Sequence, residues 1–201
     1  MSIPRLLHRV WLGPNPEPEK YRQWRDRLAE LNPGWTIVTW DEGSLKALGM
    51  DLGELRDAWP SSLAAQSNAV RLRAVMLFGG IYLDCDVEPL KPIPESWLEY
   101  EAFGFEQDSQ RRICNAIFGA EQRHGWIVNQ WINKANYRRT DAAWGVYLMT
   151  EMAKELEAFY NIVRPPHHLV YPFSWDTPEA ERKVHPDSVL VHHWDKTWIA
   201  K

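Results

Sequence analysis

Residues 81–90 read IYLDCDVEPL, an apolar run that passes directly into two carboxylates one residue apart. An unpaired carboxylate is costly to bury, so Asp84 and Asp86 must meet water, a cation or a positive partner where the run ends. Alternate side chains of an extended segment share a face, which sends both acids to one side and Cys85 to the other. Two converging carboxylates suit a hard divalent cation whose other positions are filled by substrate phosphates and water. The pattern therefore points to a metal-diphosphate clamp and not to a self-sufficient metal cage. The bare triplet carries little weight, since eleven Asp in 201 residues give about 0.6 Asp-x-Asp triplets by chance. Its setting carries more: a capped helix, Gly79-Gly80, the apolar strand with Tyr82, the acids, and a PLKPIP bend.

The elements that must position the pair follow from period and punctuation. Residues 6–12 read as a first strand, closed by Gly13 and the GPNPEP turn. Residues 19–31 read as an amphipathic helix with Tyr21, Trp24, Leu28 and Leu31 at helical spacing, ended by Asn32-Pro33-Gly34. A second strand over 35–40 completes a strand-helix-strand unit, from which parallel sheets are built. Short helices over 44–48 and 52–59 precede Pro60 and a Ser61-Ser62 cap, which opens a longer helix to Phe78. Gly79-Gly80 stops that helix, and the acid-bearing strand follows. Beyond a proline-punctuated bend over 89–94, strands are expected at 102–106 and 113–118, helices at 125–136 and 144–160, and a last strand at 189–193. Neither a repeat nor a long linker interrupts residues 1–201, so a single α/β domain is expected, with a mixed, mostly parallel sheet flanked by helices. Ligands of such sheets gather outside the carboxyl ends of strands, where Asp84 and Asp86 fall.

A net charge of −4 with scattered basic residues gives no reason to expect a nucleic-acid partner, and none is expected. The N-terminal MSIPRLLHRVWLG lacks the pattern of a signal peptide, and no segment reaches the length of a membrane span, so no integral membrane segment is expected. A cytoplasmic protein follows, meeting any lipid-linked partner peripherally at the membrane surface. The two cysteines, Cys85 and Cys114, are expected as free thiols. Of the twelve tryptophans, about two-thirds are expected to fill the core.

Taken in order, IPRLLHRVWLG, LNPGW, WDE, GGIYLDCDVEPLKP and HHWDKTW resemble the DXD-containing sugar transferases of glycosyltransferase family thirty-two, of the capsular polysaccharide and α-mannosyltransferase type. More distantly they resemble the glucosyltransferase domains of large bacterial toxins. The resemblance implies a GT-A fold, a UDP- or GDP-sugar donor, Mn²⁺ or Mg²⁺, a glycan or lipid-linked acceptor, and transfer of a hexose with retention of configuration. It assigns Asp84 and Asp86 to metal, diphosphate and donor ribose, and Arg71 to donor hydroxyls or phosphate. Tyr82 and Asn115 fall near the sugar, Trp11 and Leu12 near the base, and Trp198 near the phosphate. His193, with His192 as the alternative, corresponds to a third metal ligand. Asn68 in SNAVR stands where the family has Asp, keeping hydrogen bonding and losing charge. Glu106 and Asp108 are the nearest carboxylates for a covalent route.

Two other classes share parts of this pattern. The DxD strand also resembles that of Mg²⁺-dependent phosphohydrolases of the haloacid dehalogenase type, which need a further acidic pair that does not follow here. A sugar-binding module without catalysis would account for the tryptophans and Asn68, and would need neither metal nor nucleotide.

Overall fold

The computed structural model describes residues 2–58, 62–107, 111–122, 143–157 and 161–195. β1 (Leu6–Val10) and β2 (Thr36–Trp40) pair in parallel, joined by α1 (Glu19–Leu31). The chain then passes through a 3-10 turn at Leu45–Leu48, α2 (Leu52–Ala58) and α3 (Leu63–Phe78) to β3 (Gly80–Leu83), parallel to β1 on its other side. After β4 (Val87–Pro89) come β5 (Ala102–Glu106) and β6 (Ile113–Ala120), and β6 lies antiparallel to both β3 and β5. α4 (Ala143–Leu156) packs on β6, and β7 (Ile162–Val163) closes the sheet beside β5, giving the order β2-β1-β3-β6-β5-β7. β8 (Leu190–His192) leaves this sheet and forms an antiparallel ribbon with β4. The expected mixed α/β architecture is thus present, with three parallel and two antiparallel pairings in the main sheet.

Punctuation explains how α3 delivers β3. The Ser62 hydroxyl accepts the Ala65 N–H at 3.1 Å and caps the helix, while Gly79 at φ +64° ends it. Gly80 follows at φ +99°, and a Cβ there would stand 2.4 Å from the Leu6 carbonyl oxygen. Only glycine allows this approach, which lays β3 directly against β1.

Side-chain alternation along β3 then sorts the core into two layers. Tyr82 joins Val10, Trp40 and Phe118 under α3 and α4. Ile81 and Leu83 join Leu7, Ile117, Trp97 and Leu28 of α1 on the opposite face. Tyr82 and the helix residues above it consequently meet on one side of the sheet, near its carboxyl edge.

Several boundaries differ from the periodic reading. β1 ends at Val10, although the Trp11 amide still donates to Trp40 O at 2.9 Å. Residues 44–48 form a 3-10 turn because Gly49 at φ +62° stops them after one turn. The bend over 89–94 begins with the last residue of β4. The helix expected over 125–136 lies outside the described residues. Of the expected core tryptophans, Trp40 and Trp97 are buried, whereas Trp175 is 49% exposed.

His8, fully buried on β1, has a fixed tautomer. The Trp40 indole N–H donates to His8 Nδ1 at 3.0 Å, which leaves the proton on Nε2 to meet the Gly79 carbonyl at 2.8 Å. Burial lowers its pKa from 6.5, against the opposing carbonyl bond. The stability linked to this neutral ring is fully present above pH 6.5 and is lost as pH falls from there through the lower folded value. Long-range ¹H–¹⁵N NMR is expected to show the Nε2–H tautomer persisting below pH 6.5; imidazolium shifts at pH 6.5 would contradict it.

Candidate functional site

The Asp84 amide makes the last rung of β3, donating to Ala116 O at 2.9 Å. The chain then turns tightly, with the Val87 amide bonding back to Asp84 O at 3.2 Å. Asp84 and Asp86 therefore converge through a turn between β3 and β4, not through continued strand alternation. Cys85 points away from them as expected, its thiol 3.3 Å from Val10 O. Burial pushes both the Cys85 and Cys114 thiols up to about 12, so neither is a thiolate at neutral pH.

Asp84 is held from two directions at one oxygen. The Tyr82 hydroxyl donates to Oδ1 at 2.6 Å, and Arg71 Nη1 lies 2.9 Å from the same atom. The guanidinium stacks 4.5 Å from the Tyr82 ring centre, and Nη1 also donates to Asn115 O at 2.8 Å. Burial holds the Asp84 carboxyl above the usual range although Arg71 pulls it down. Asp86 behaves oppositely: burial would raise it, but the charge and hydrogen bond of His192, together with the Asp195 amide, bring it to about 2. His192 Nε2 stands 3.2 Å from Asp86 Oδ1 and 3.9 Å from Asp84 Oδ2, while the Asp195 amide donates to Asp86 Oδ2 at 3.0 Å. One donor atom from each of Asp84, Asp86 and His192 lies within 4.8 Å of the others.

His193 is not brought to this group. Its Nε2 meets Glu88 Oε2 at 2.7 Å, and its ring stacks on Trp24 at 4.8 Å. The strand register decides between the two histidines: His192 is paired with Val87, next to the turn, and its neighbour projects to the other face of the ribbon. The tail is fixed on α1 as well, where Tyr21 and Lys20 bind the Asp195 carboxylate at 2.8 and 3.1 Å.

The triangle opens on a cavity of about 620 Å³. Trp11, Leu12, Asn68, Arg71 and Asn115 line it beside the two acids and His192. Tyr82 stays beneath, acting through Asp84, and Trp198 lies outside the described residues. Trp11 directs its indole N–H to Asn15 O at 2.8 Å, so its ring and not its N–H is offered to a ligand. Asn115 Nδ2 donates to Asn68 Oδ1 at 2.7 Å, joining α3 to β6 across the cavity wall. α4 closes over this amide pair at Gly145, where a Cβ would stand 2.1 Å from Asn115 Nδ2 and 2.8 Å from Asn68 Nδ2. Gly145 and Asp195 also shape the site, and a glycine within WGVYLMT and an acid following HHW are their only local signals in the sequence.

Glu106 is occupied elsewhere, 3.0 Å from Arg111 and 2.9 Å from Arg164, and does not line the cavity. Asp108 lies outside the described residues. Among the described residues, Asp84 and Asp86 are the only carboxylates lining the cavity.

Residues 18–104 match the family described as glycosyltransferase sugar-binding region containing DXD motif. Inositol phosphoceramide mannosyltransferase 3 of Schizosaccharomyces pombe is 28% identical over 134 residues, covering 63% of this chain and 36% of that protein. The chain thus spans about a third of that relative's length. The PaToxG glycosyltransferase superposes with a TM-score of 0.58 at 16% identity, covering 77% of this chain and 70% of that one. The UDP-bound glycosyltransferase domain from the YGT toxin superposes at 0.51 and 14% identity, covering 78% and 68%. These likenesses show the GT-A fold.

Proposed function

Because this chain carries a DXD glycosyltransferase region on a GT-A fold, we propose that it moves a hexose-type sugar from a UDP- or GDP-linked donor to a hydroxyl of a glycan or lipid-linked acceptor, with retention and with Mn²⁺ or Mg²⁺. Residues 1–201 would act as one domain in polysaccharide or glycolipid assembly, cytoplasmic and reaching lipid-linked acceptors at the membrane surface. Among the described residues, no helix is long and apolar enough to cross a membrane.

The observation that carries this reading is the convergence of Asp84, Asp86 and His192 at the cavity, with Arg71 locking Asp84. Two carboxylates and one imidazole form a donor set suited to a divalent cation. When bound, the cation would withdraw charge from the departing diphosphate. Tyr82 and Arg71 fix the orientation of Asp84, and the Asp195 amide and His192 fix that of Asp86. Asn115 occupies the Asn68 oxygen, so the group Asn68 has left to offer a sugar hydroxyl is its amide N–H, as a donor. The Trp11 ring and Leu12 supply apolar surface for the base. Glu106, bound to Arg111 and Arg164, does not line the cavity, and the transfer is taken as direct. The acceptor oxygen would bond to the anomeric carbon on the face from which the diphosphate leaves, and its proton would pass to the departing phosphate oxygen.

Mn²⁺ and UDP, or Mn²⁺ and GDP, are expected to raise the thermal midpoint together far beyond the sum of their separate shifts. Saturation at 100 times Kd contributes about 2.7 kcal/mol. Merely additive shifts with both nucleotides would remove the donor assignment, and release of phosphate from simple phosphomonoesters would favour a hydrolase. A panel of nucleotide sugars, read as nucleoside-diphosphate release, then identifies the sugar and the base.

A further inference from the structure

The segment RPPHHLV and the tail turn VHPDSVL bring three metal-ligating side chains together outside the cavity. His168 belongs to a 3-10 turn, His167–Leu169, and the backbone on either side of that turn is fastened to the approach of β8. Ser188 Oγ donates to His168 O at 2.6 Å, the Val189 amide to Leu169 O at 2.8 Å, and the His192 amide to Val170 O at 3.1 Å. Across this seam the His168 and His185 rings face each other with centroids 4.2 Å apart. The Asp187 amide donates to His185 Nδ1 at 3.1 Å, and Asp187 Oδ2 lies 3.9 Å from that nitrogen. One donor atom from each of His168, His185 and Asp187 lies within 4.8 Å of the others.

We infer that His168, His185 and Asp187 form a second divalent-metal site, built for Zn²⁺. Two imidazoles and one carboxylate are a donor set of borderline softness, which suits Zn²⁺ better than the oxygen-rich triangle at the cavity does. His185 and Asp187 are exposed, so water has access to complete the coordination. The hydrogen bonds at the seam already hold the two turns in register, so the ion binds a largely formed site. Lys91 lies next to this region but directs its ammonium to Pro186 O at 2.6 Å.

The consequence is structural and reaches the cavity. An ion joining His168 to His185 closes the stretch between them, which carries Trp175 at the cavity wall, and steadies the start of β8, which carries His192. Zn²⁺ at this site would act as a staple on the tail and would not enter the transfer reaction.

Titration of metal-stripped protein with Zn²⁺ alone, without nucleotide, tests the assignment by equilibrium dialysis and thermal shift. The whole chain is expected to bind one equivalent with a raised midpoint and slower proteolysis within residues 169–184. His185→Gln and His168→Gln should each weaken binding tenfold or more, while His167→Gln and Asp86→Asn leave it unchanged. Co²⁺ in place of Zn²⁺ should give visible d–d bands that vanish in His185→Gln. Absence of Zn²⁺ binding in the unaltered chain, its persistence in His185→Gln, or its loss in folded Asp86→Asn would overturn the assignment. These outcomes leave the donor-site reading untouched, since that is tested by nucleotide and Mn²⁺.

Discussion

Asp86→Asn is expected to lower kcat/KM for both sugar transfer and donor hydrolysis by about 10³-fold or more while the fold persists. Asparagine preserves volume and can still accept the Asp195 amide, which lies 3.0 Å from Oδ2. What it loses is the charge beside His192, at 3.2 Å, and with it one of the two anionic donors facing the cavity. The stability cost has a defined pH signature. Asp86 is depressed from 3.8 to about 2, so its contribution is present above pH 3.8 and is lost as pH falls through 2. That depression corresponds to about 2 kcal/mol at neutral pH, an amount a folded domain of this size tolerates. The variant should therefore unfold cooperatively at a lower midpoint, lack this part of the acid destabilisation, and show no Mn²⁺–nucleotide synergy. Turnover within tenfold of the unaltered chain, at saturating Mn²⁺, would show that the pair is not the metal site.

Local signals reached most of the scaffold because the decisive residues act over a few positions. Ser62 caps α3, Gly79-Gly80 ends it and starts β3, and Asn32-Pro33-Gly34 separates α1 from β2; each is a short-range steric or hydrogen-bonding fact. The position of the acids at a strand exit was legible for the same reason. The shape of that exit was not, since a turn closed by Val87 N–H to Asp84 O looks in sequence like a continuing strand. Nor was the choice between His192 and His193, which depends on the phase of β8 against β4, two three-residue strands with Pro89 ending one of them. The Asn68–Asn115 bond and the close approach of Gly145 join residues far apart in the chain, and no local pattern encodes them. β7, only two residues long, has no periodicity to read.

Arg71 offers the sharpest separation of a structural ion pair from a cation-ready site. Its side chain is 7% exposed, and Nη1 serves both Asp84 at 2.9 Å and Asn115 O at 2.8 Å. Arg71→Met keeps the aliphatic stem over Tyr82 but leaves a carboxylate held by the tyrosine hydroxyl, with His192 Nε2 3.9 Å from its other oxygen. Removing one partner of a buried pair costs about 3–5 kcal/mol, and because Asp84 remains 24% exposed the lower end, about 3 kcal/mol, is expected. If the cost arises from that stranded charge, Asp84→Asn added to Arg71→Met should restore part of the stability, a coupling visible in a double-mutant cycle. A divalent ion supplies the positive charge that the guanidinium no longer provides, so Mn²⁺ should stabilise Arg71→Met more than it stabilises the unaltered chain. Urea titrations of the four cycle members, with and without Mn²⁺, measure both effects. A cost under about 1 kcal/mol, as for an ordinary exposed pair, together with equal Mn²⁺ effects in both proteins, would reduce Arg71 to a helix cation and leave Asp84 without its positioning partner.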